Sequence, residues 1–239
     1  MLIAPKLLSL YRQETIRIYN MKSKKGSNKS FKDWTYEEVN NTFGLKRVFE
    51  HSFFDRLKTF HLSENHELRK KIEQLRKSAM QYIETWNEDE YKFFFISPFI
   101  GLVDFSSSYY KAFTQRPLSL SYENGTKITD GLVEFMLAKG LQTPKSPHFF
   151  LHEYKPEKRR DNDPLGQLLI GMVAAKKLNQ DDKPIYGIYL NGRNWFLVLL
   201  EDEQYAVSNP YVATSNDIFD LFAVLLFFKD EMEKLYQEI

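Results

Sequence analysis

The sequence contains no cysteine. Disulfides, thiolate-bound metals and a cysteine nucleophile are therefore excluded, and the chain suits a reducing compartment. Charge of one sign is also lacking: 33 Lys and Arg stand against 32 Asp and Glu, a formal net charge of +1. No global basic field attracts nucleic acid, so any such site must be local. Long apolar runs are missing too. The richest, Ile218 to Phe228, contains Asp220 and is too short to span a bilayer; it predicts a buried C-terminal helix. The opening MLIAPKLLSLYRQ is interrupted by Pro5, Lys6 and Arg12 and lacks the apolar core and small-residue cleavage site of a signal peptide. A cytoplasmic protein with no membrane association is the expectation. There is no internal repeat.

Apolar residues make up 43% of the 239 and aromatics 15%, ample for a packed core. Residues 1–30 end in the polar, basic KSKKGSNKS, which reads as a loop or linker. Thr35 with Glu38 forms a capping-box pattern, and short helices are expected from there to His61. Over 65–86 a helical stripe of Leu68, Ile72, Leu75, Met80 and Ile83 lies opposite charged residues. YKFFFISPFIGLV then continues as helix to a stop near Asp104. From 117 the pattern changes to three hairpin-joined strands: LSLSYE, a turn at Asn124-Gly125, TKITDGLVEFMLAKG, a loop with Pro144 and Pro147, and HFFLHEYK. Asp163-Pro164 starts a helix, and the strands PIYGIYL, NWFLVLLED and QYAVSNPYV precede a last helix from about 215. The order predicts an α/β core sheet with an N-terminal helical layer.

An acidic residue, one spacer and a lysine occur three times, at Glu90-Tyr91-Lys92, Glu153-Tyr154-Lys155 and Asp181-Asp182-Lys183. In a strand, residues i and i+2 point to one face; in a helix they are about 200° apart and diverge. The first match falls in a helical segment and the third in a polar loop. Only Glu153 and Lys155 end an apolar strand, which Pro156 stops. In the preceding strand, regular alternation puts Asp130, Leu132, Glu134 and Met136 on one face and Gly131, Val133, Phe135 and Leu137 on the other. Glu134 is an acid inside an apolar strand, so it needs a cation, a proton or a metal. If the two strands pair, two carboxylates and a lysine can converge, a hard oxygen set suited to Mg²⁺ or Mn²⁺. Gln167 follows on the first turn of the next helix.

Taken together these motifs resemble the PD-(D/E)xK nuclease superfamily, especially the N-terminal nuclease domain of type I restriction motor subunits. The resemblance rests on G131-L-V-E134-F-M-L137, then F149-F-L-H-E153-Y-K155, then Gln167, preceded by NEDEYKFFFISPFIGLVDF (87–105) as the family's first helix, with Glu88 as its acid. It spans roughly 85–200. What it implies is a restriction-endonuclease-like core, a mixed central sheet flanked by helices, over 85–239, with 1–84 as an N-terminal helical region. It further implies a Mg²⁺- or Mn²⁺-dependent nuclease acting on DNA, in defence or DNA processing, with a homodimer or a partner subunit left open. On this resemblance Glu134 and Glu153, with the Tyr154 carbonyl, hold the metal, and Glu88 completes the outer ligands. Lys155 orients water or stabilises the transition state, and Gln167 positions the lysine or a phosphate. Lys158, Arg159 and Arg160 contact a nucleic-acid backbone. Val133-Glu134 stand where the family has Pro-Asp, and Asp130 is the rival ligand. No helicase motif is present.

Each residue also has a plainer reading. Glu153 and Lys155 can form an ion pair at a strand end, and Glu134 can be exposed on an edge strand. Gln167 is a good helix former, Glu88 complements a helix dipole, and Lys158–Arg160 can be a solvated loop. His152 faces away from Glu153 if the strand is regular. The aromatic clusters Phe93–Phe95, Phe149–Phe150 and Trp195–Phe196 are core by default. A nuclease-like binding module that has lost cleavage is the alternative function.

Overall fold

A computed structural model describes the backbone of residues 28–121, 127–155 and 163–238 and most side chains within them. The short strand β1 (Asn28–Lys29) and a 3₁₀ turn (Phe31–Asp33) lead into α1 (Tyr36–Phe43). Thr35 and Glu38 make the capping box the sequence predicts, each satisfying the other's backbone N–H. β2 (Lys46–Val48), α2 (Ser52–Lys58) and α3 (His66–Tyr82) follow. The loop expected up to residue 30 misses β1, and the short helices expected from Thr35 to His61 miss β2. Both are very short and borrow their hydrogen bonds from distant strands, so no local period betrays them.

α4 (Glu88–Tyr91), a π-helical turn (Lys92–Ile96) and α5 (Ser97–Gly101) run end to end. The antiparallel strands β3 (Lys111–Ser121), β4 (Lys127–Lys139) and β5 (Lys145–Lys155) come next. β3 begins earlier than its apolar LSLSYE core suggests: Phe113 is buried and anchors the strand while the polar residues around it stay exposed. α6 (Pro164–Asn179) crosses from β5 to its parallel neighbour β6 (Ile185–Asn191). β7 (Asn194–Glu201), β8 (Gln204–Val207), β9 (Tyr211–Val212) and α7 (Asp217–Glu238) complete the described chain.

The strands form one mixed sheet in the order β1-β4-β5-β6-β7-β8-β2, with β3 also on β4 and β9 also on β7. One face is covered by α6, α1 and the 3₁₀ turn, through Phe31, Trp34, Val39 and most of the apolar residues of α6 against Val133, Met136, Phe150 and Val198. α6 is apolar on nearly every side because it lies between sheet and α1. The other face is covered by α7 and the α2–α5 layer, through Phe53, Ile72, Phe95, Phe99 and Phe222 against Phe149, Ile188 and Trp195. In α3, Met80 is exposed and Ala79 is buried instead. Position 79 continues the Leu68, Ile72, Leu75 spacing by a step of four, whereas 80 overshoots it.

Two close approaches lock the first face. A Cβ on Gly131 would stand 2.3 Å from the Phe31 ring, and one on Gly166 would stand 2.5 Å from the backbone of Trp34 and Thr35. Phe31 is thus wedged between β4 and α6, where its other edge lies 3.3 Å from a Cβ position on Gly171. No described helix is long and apolar enough to cross a membrane.

Candidate functional site

The sequence sets three consecutive carboxylates, Glu88, Asp89 and Glu90, before an aromatic run, and local rules decide the fates of the first and third. Asn87 caps α4 by accepting from the Glu90 N–H, while the Glu90 carboxylate accepts from the Asn87 N–H. Glu90 is therefore occupied with its own helix. Lys92, two residues on, turns elsewhere, the divergence expected of a helical acid-x-Lys. Its ammonium donates to Glu88 Oε1 at 2.6 Å and to Glu134 Oε1 at 2.7 Å. The π-helical turn begins at Lys92, and such wide turns occur often at functional positions. Here it directs the lysine toward the sheet while Glu88 remains four residues behind.

Glu134 reaches that point because β4 breaks its alternation. Regular alternation would group Val133 with Phe135 and Leu137. Instead Val133 shares the α6 face with Met136 and Ala138, while Phe135 and Leu137 pack on the opposite face. The phase slips between 133 and 135. Across the hairpin, Gln115 has a left-handed φ of 51°, and the pairing runs from Thr114↔Phe135 to Arg116↔Val133 with no Gln115–Glu134 pair between them. The slip lets Glu134 and Phe135 line the same cavity of about 500 Å³ with Lys92, Ser97, Asp104 and Thr114. The expected face of Glu134, shared with Leu132 and Met136, is corrected accordingly: an irregular backbone overrides the period of two.

The need for a cation beside Glu134 is real, and Lys92 meets it. The Glu134 side chain is 17% exposed, Lys92 24% and Glu88 39%, so this is a half-buried triad rather than a solvated pair. Burial alone pushes the Lys92 ammonium toward deprotonation. The hydrogen bonds and charges of Glu134 and Glu88 outweigh that and hold its pKa above the ordinary lysine value. Lys92 was legible only as half of a rejected acid-x-Lys; its i+4 spacing from Glu88 was the available signal.

The two acid-bearing strands do pair. β4 and β5 run antiparallel with Phe135 opposite Leu151, which sets Glu134 and Glu153 at the same end of the pairing. On its other side β5 pairs with β6 from His152↔Tyr189 directly to Tyr154↔Leu190, so Glu153 is the extra residue of a bulge. Bulges re-aim side chains and are frequent beside active sites. The strand is not regular there, so the alternation argument about His152 has no footing. The side chains of Asp130, Glu153 and Lys155 lie outside those described, and Lys158, Arg159 and Arg160 lie outside the described residues. Asp181 accepts from the Lys183 N–H in the loop after α6, in keeping with a structural role for the third acid-x-Lys.

Gln167 lies on the first turn of α6 and is 1% exposed. Its Nε2 has no hydrogen-bond partner among the described residues, and an unpaired buried amide costs roughly 1–3 kcal/mol. Asp163 fixes that turn: Oδ1 accepts from the Gly166 N–H at 2.9 Å and Oδ2 from the Tyr36 N–H at 2.7 Å. Of the aromatic clusters, Phe95, Phe149, Phe150 and Trp195 are core, but Phe93 and Phe94 are 72% and 50% exposed. Three aromatics in a row cannot all face inward from one helical turn.

Among the described residues, no three His, Asp or Glu side chains are grouped to hold a metal ion. Compared with known proteins, the chain matches no family model and no curated protein. The reading of the site therefore rests on its own geometry.

Proposed function

We propose that the chain is a Mg²⁺- or Mn²⁺-dependent nuclease of the PD-(D/E)xK type, with a restriction-endonuclease-like core, that hydrolyses phosphodiesters in DNA. One observation carries the reading: Glu88 and Glu134 converge on a single cation at the end of the β4–β5 pairing where Glu153 sits in a bulge. The motif order supports it as well. First helix, acid-bearing strand, Glu-x-Lys strand and glutamine-bearing helix are α4–α5, β4, β5 and α6, and the middle two are neighbours in the sheet.

The donors fit a hard divalent cation. Glu88 and Glu134 offer oxygen only, already share one positive charge, and need one more carboxylate, which Glu153 or Asp130 would supply. When bound, the metal would lower the pKa of a coordinated water and neutralise charge on the phosphate. Lys155 would orient the attacking water or stabilise the developing phosphorane charge. Gln167, whose amide nitrogen is unpaired among the described residues, would position Lys155 or a phosphate. Lys158, Arg159 and Arg160 would bind the nucleic-acid backbone, and with a net charge of only +1 that local run matters more. The absence of cysteine suits a cytoplasmic setting.

A second reading, a nuclease-like module that binds nucleic acid or protein without cleaving, draws on a specific fact: Lys92 already occupies two of the proposed ligands. Plasmid and linear DNA incubated with the protein and Mg²⁺ or Mn²⁺ separate the two. Cleavage that disappears in Lys155→Ala and Glu153→Gln supports the enzyme. DNA binding with no cleavage under any metal supports the module and sinks the enzyme.

A further inference from the structure

We infer that Lys92 is a displaceable internal cation, which occupies the Glu88–Glu134 pair in the absence of metal and must leave when a divalent ion loads. The inference rests on the metal-binding half of the nuclease reading.

Geometry makes the two cations mutually exclusive. Lys92 Nζ lies 2.6 Å from one carboxylate and 2.7 Å from the other, so it fills the space between two groups that would hold the ion. An ammonium cannot remain there, because two like charges at contact in a half-buried site repel strongly. It has somewhere to go. Lys92 borders the cavity of about 500 Å³ whose walls include Ser97, Asp104, Thr114 and Gln115. That volume accommodates a four-carbon side chain, and those residues offer oxygens to receive its charge. Lys92 stands on the π-helical turn, and its flexible stem lets the head group move without the helix moving.

The arrangement has a purpose in the free protein. Lys92 holds Glu88 and Glu134 through one shared charge, and it weakens metal binding by competing for them. It acts through Glu88 and Glu134, so it is a positioning residue.

Mn²⁺ titration of the full chain, followed by loss of the free-ion EPR signal and without DNA, tests this. Lys92→Met is expected to bind Mn²⁺ at least about tenfold more tightly than the wild type, the competitor being gone. Adding Glu134→Gln should abolish the gain. Lys92→Arg, which keeps the charge, should bind no more tightly than wild type. Should Lys92→Met fail to fold, Lys92→Gln carries the same expectation. Equal Mn²⁺ affinity in wild type and Lys92→Met overturns the inference, as does a gain that survives Glu134→Gln or no binding in any variant. The outcome is separable from nuclease activity. A wild type that cleaves no DNA, beside a Lys92→Met that gains Mn²⁺ affinity, refutes the nuclease and supports the cation exchange.

Discussion

Replacing Asp163 by alanine should destabilise the protein by about 2 kcal/mol. This carboxylate caps α6 through the Gly166 N–H and holds the first residue of α1 through the Tyr36 N–H. Losing an N-cap costs about 1 kcal/mol. The second bond is charge-assisted and joins residues far apart in sequence, which places it at about 1.5 kcal/mol. Tyr36 is 47% exposed, so water can partly replace the carboxylate and the lower part of that range applies. With an m-value of roughly 3 kcal/mol/M, the urea midpoint should fall by about 0.7 M. Asp163→Asn keeps one acceptor oxygen and should lose about half as much. The assay is equilibrium urea unfolding with slopes compared between variants. A midpoint for Asp163→Ala within about 0.2 M of wild type, at equal slope, would refute the idea that one carboxylate ties two helix starts together.

Gly166→Ala should cost about 2 kcal/mol or more in the same assay, since its methyl would stand 2.5 Å from the backbone of residues 34–36, which cannot swing aside. His148 is fully buried beside Asp181, Asn179 and Tyr236. Burial holds its pKa below the ordinary 6.5 despite the Asp181 charge. Its contribution is full above pH 6.5 and is lost as the pH falls toward its folded value. His148→Gln should therefore flatten the decline in thermal midpoint as the pH falls below 6.5. The Lys92 pKa is raised above 10.5, so the stability from its ion pairs is full below that value and vanishes as the pH rises through the folded pKa. The difference in thermal midpoint between wild type and Lys92→Met should be largest near neutrality and shrink in strong alkali. Tyr186 and Tyr189, each pushed up to about 12 by burial, should stay protonated in an absorbance titration well past the ordinary tyrosine value of about 10.

Much of this architecture was legible wherever a local rule and the tertiary structure agree. The Thr35–Glu38 box, the Asp163-Pro164 start, the hairpin strands and the apolar final helix each satisfy a short-range requirement that burial then reinforces. What escaped has a common cause. β1 and β2 exist only through partners at Lys127 and Gln204, far along the chain. The phase slip at Glu134 lies opposite the left-handed Gln115, which no pattern in β4 records. Lys92 was set aside because i and i+2 diverge on a helix, and that argument was correct for Glu90. It did not address the lysine's other neighbours, one four residues back and one on a strand 42 residues on.

Phe31 has a consequence for how little of this chain can stand alone. The ring closes a slot whose walls are glycines of β4 and α6, about 100 and 140 residues downstream. A slot lined by glycine offers a replacement side chain nothing to grip and collapses only by moving backbone, so its emptiness would be felt across both elements. A chain shortened to begin at residue 85 would keep every group assigned to metal and phosphate. It would also present the α6 face to water and leave β4 and β8 with unpaired edges where β1 and β2 now lie. The piece that holds the proposed ligands is thus smaller than the piece that completes the sheet edges. Residues long before the first proposed ligand act as its foundation.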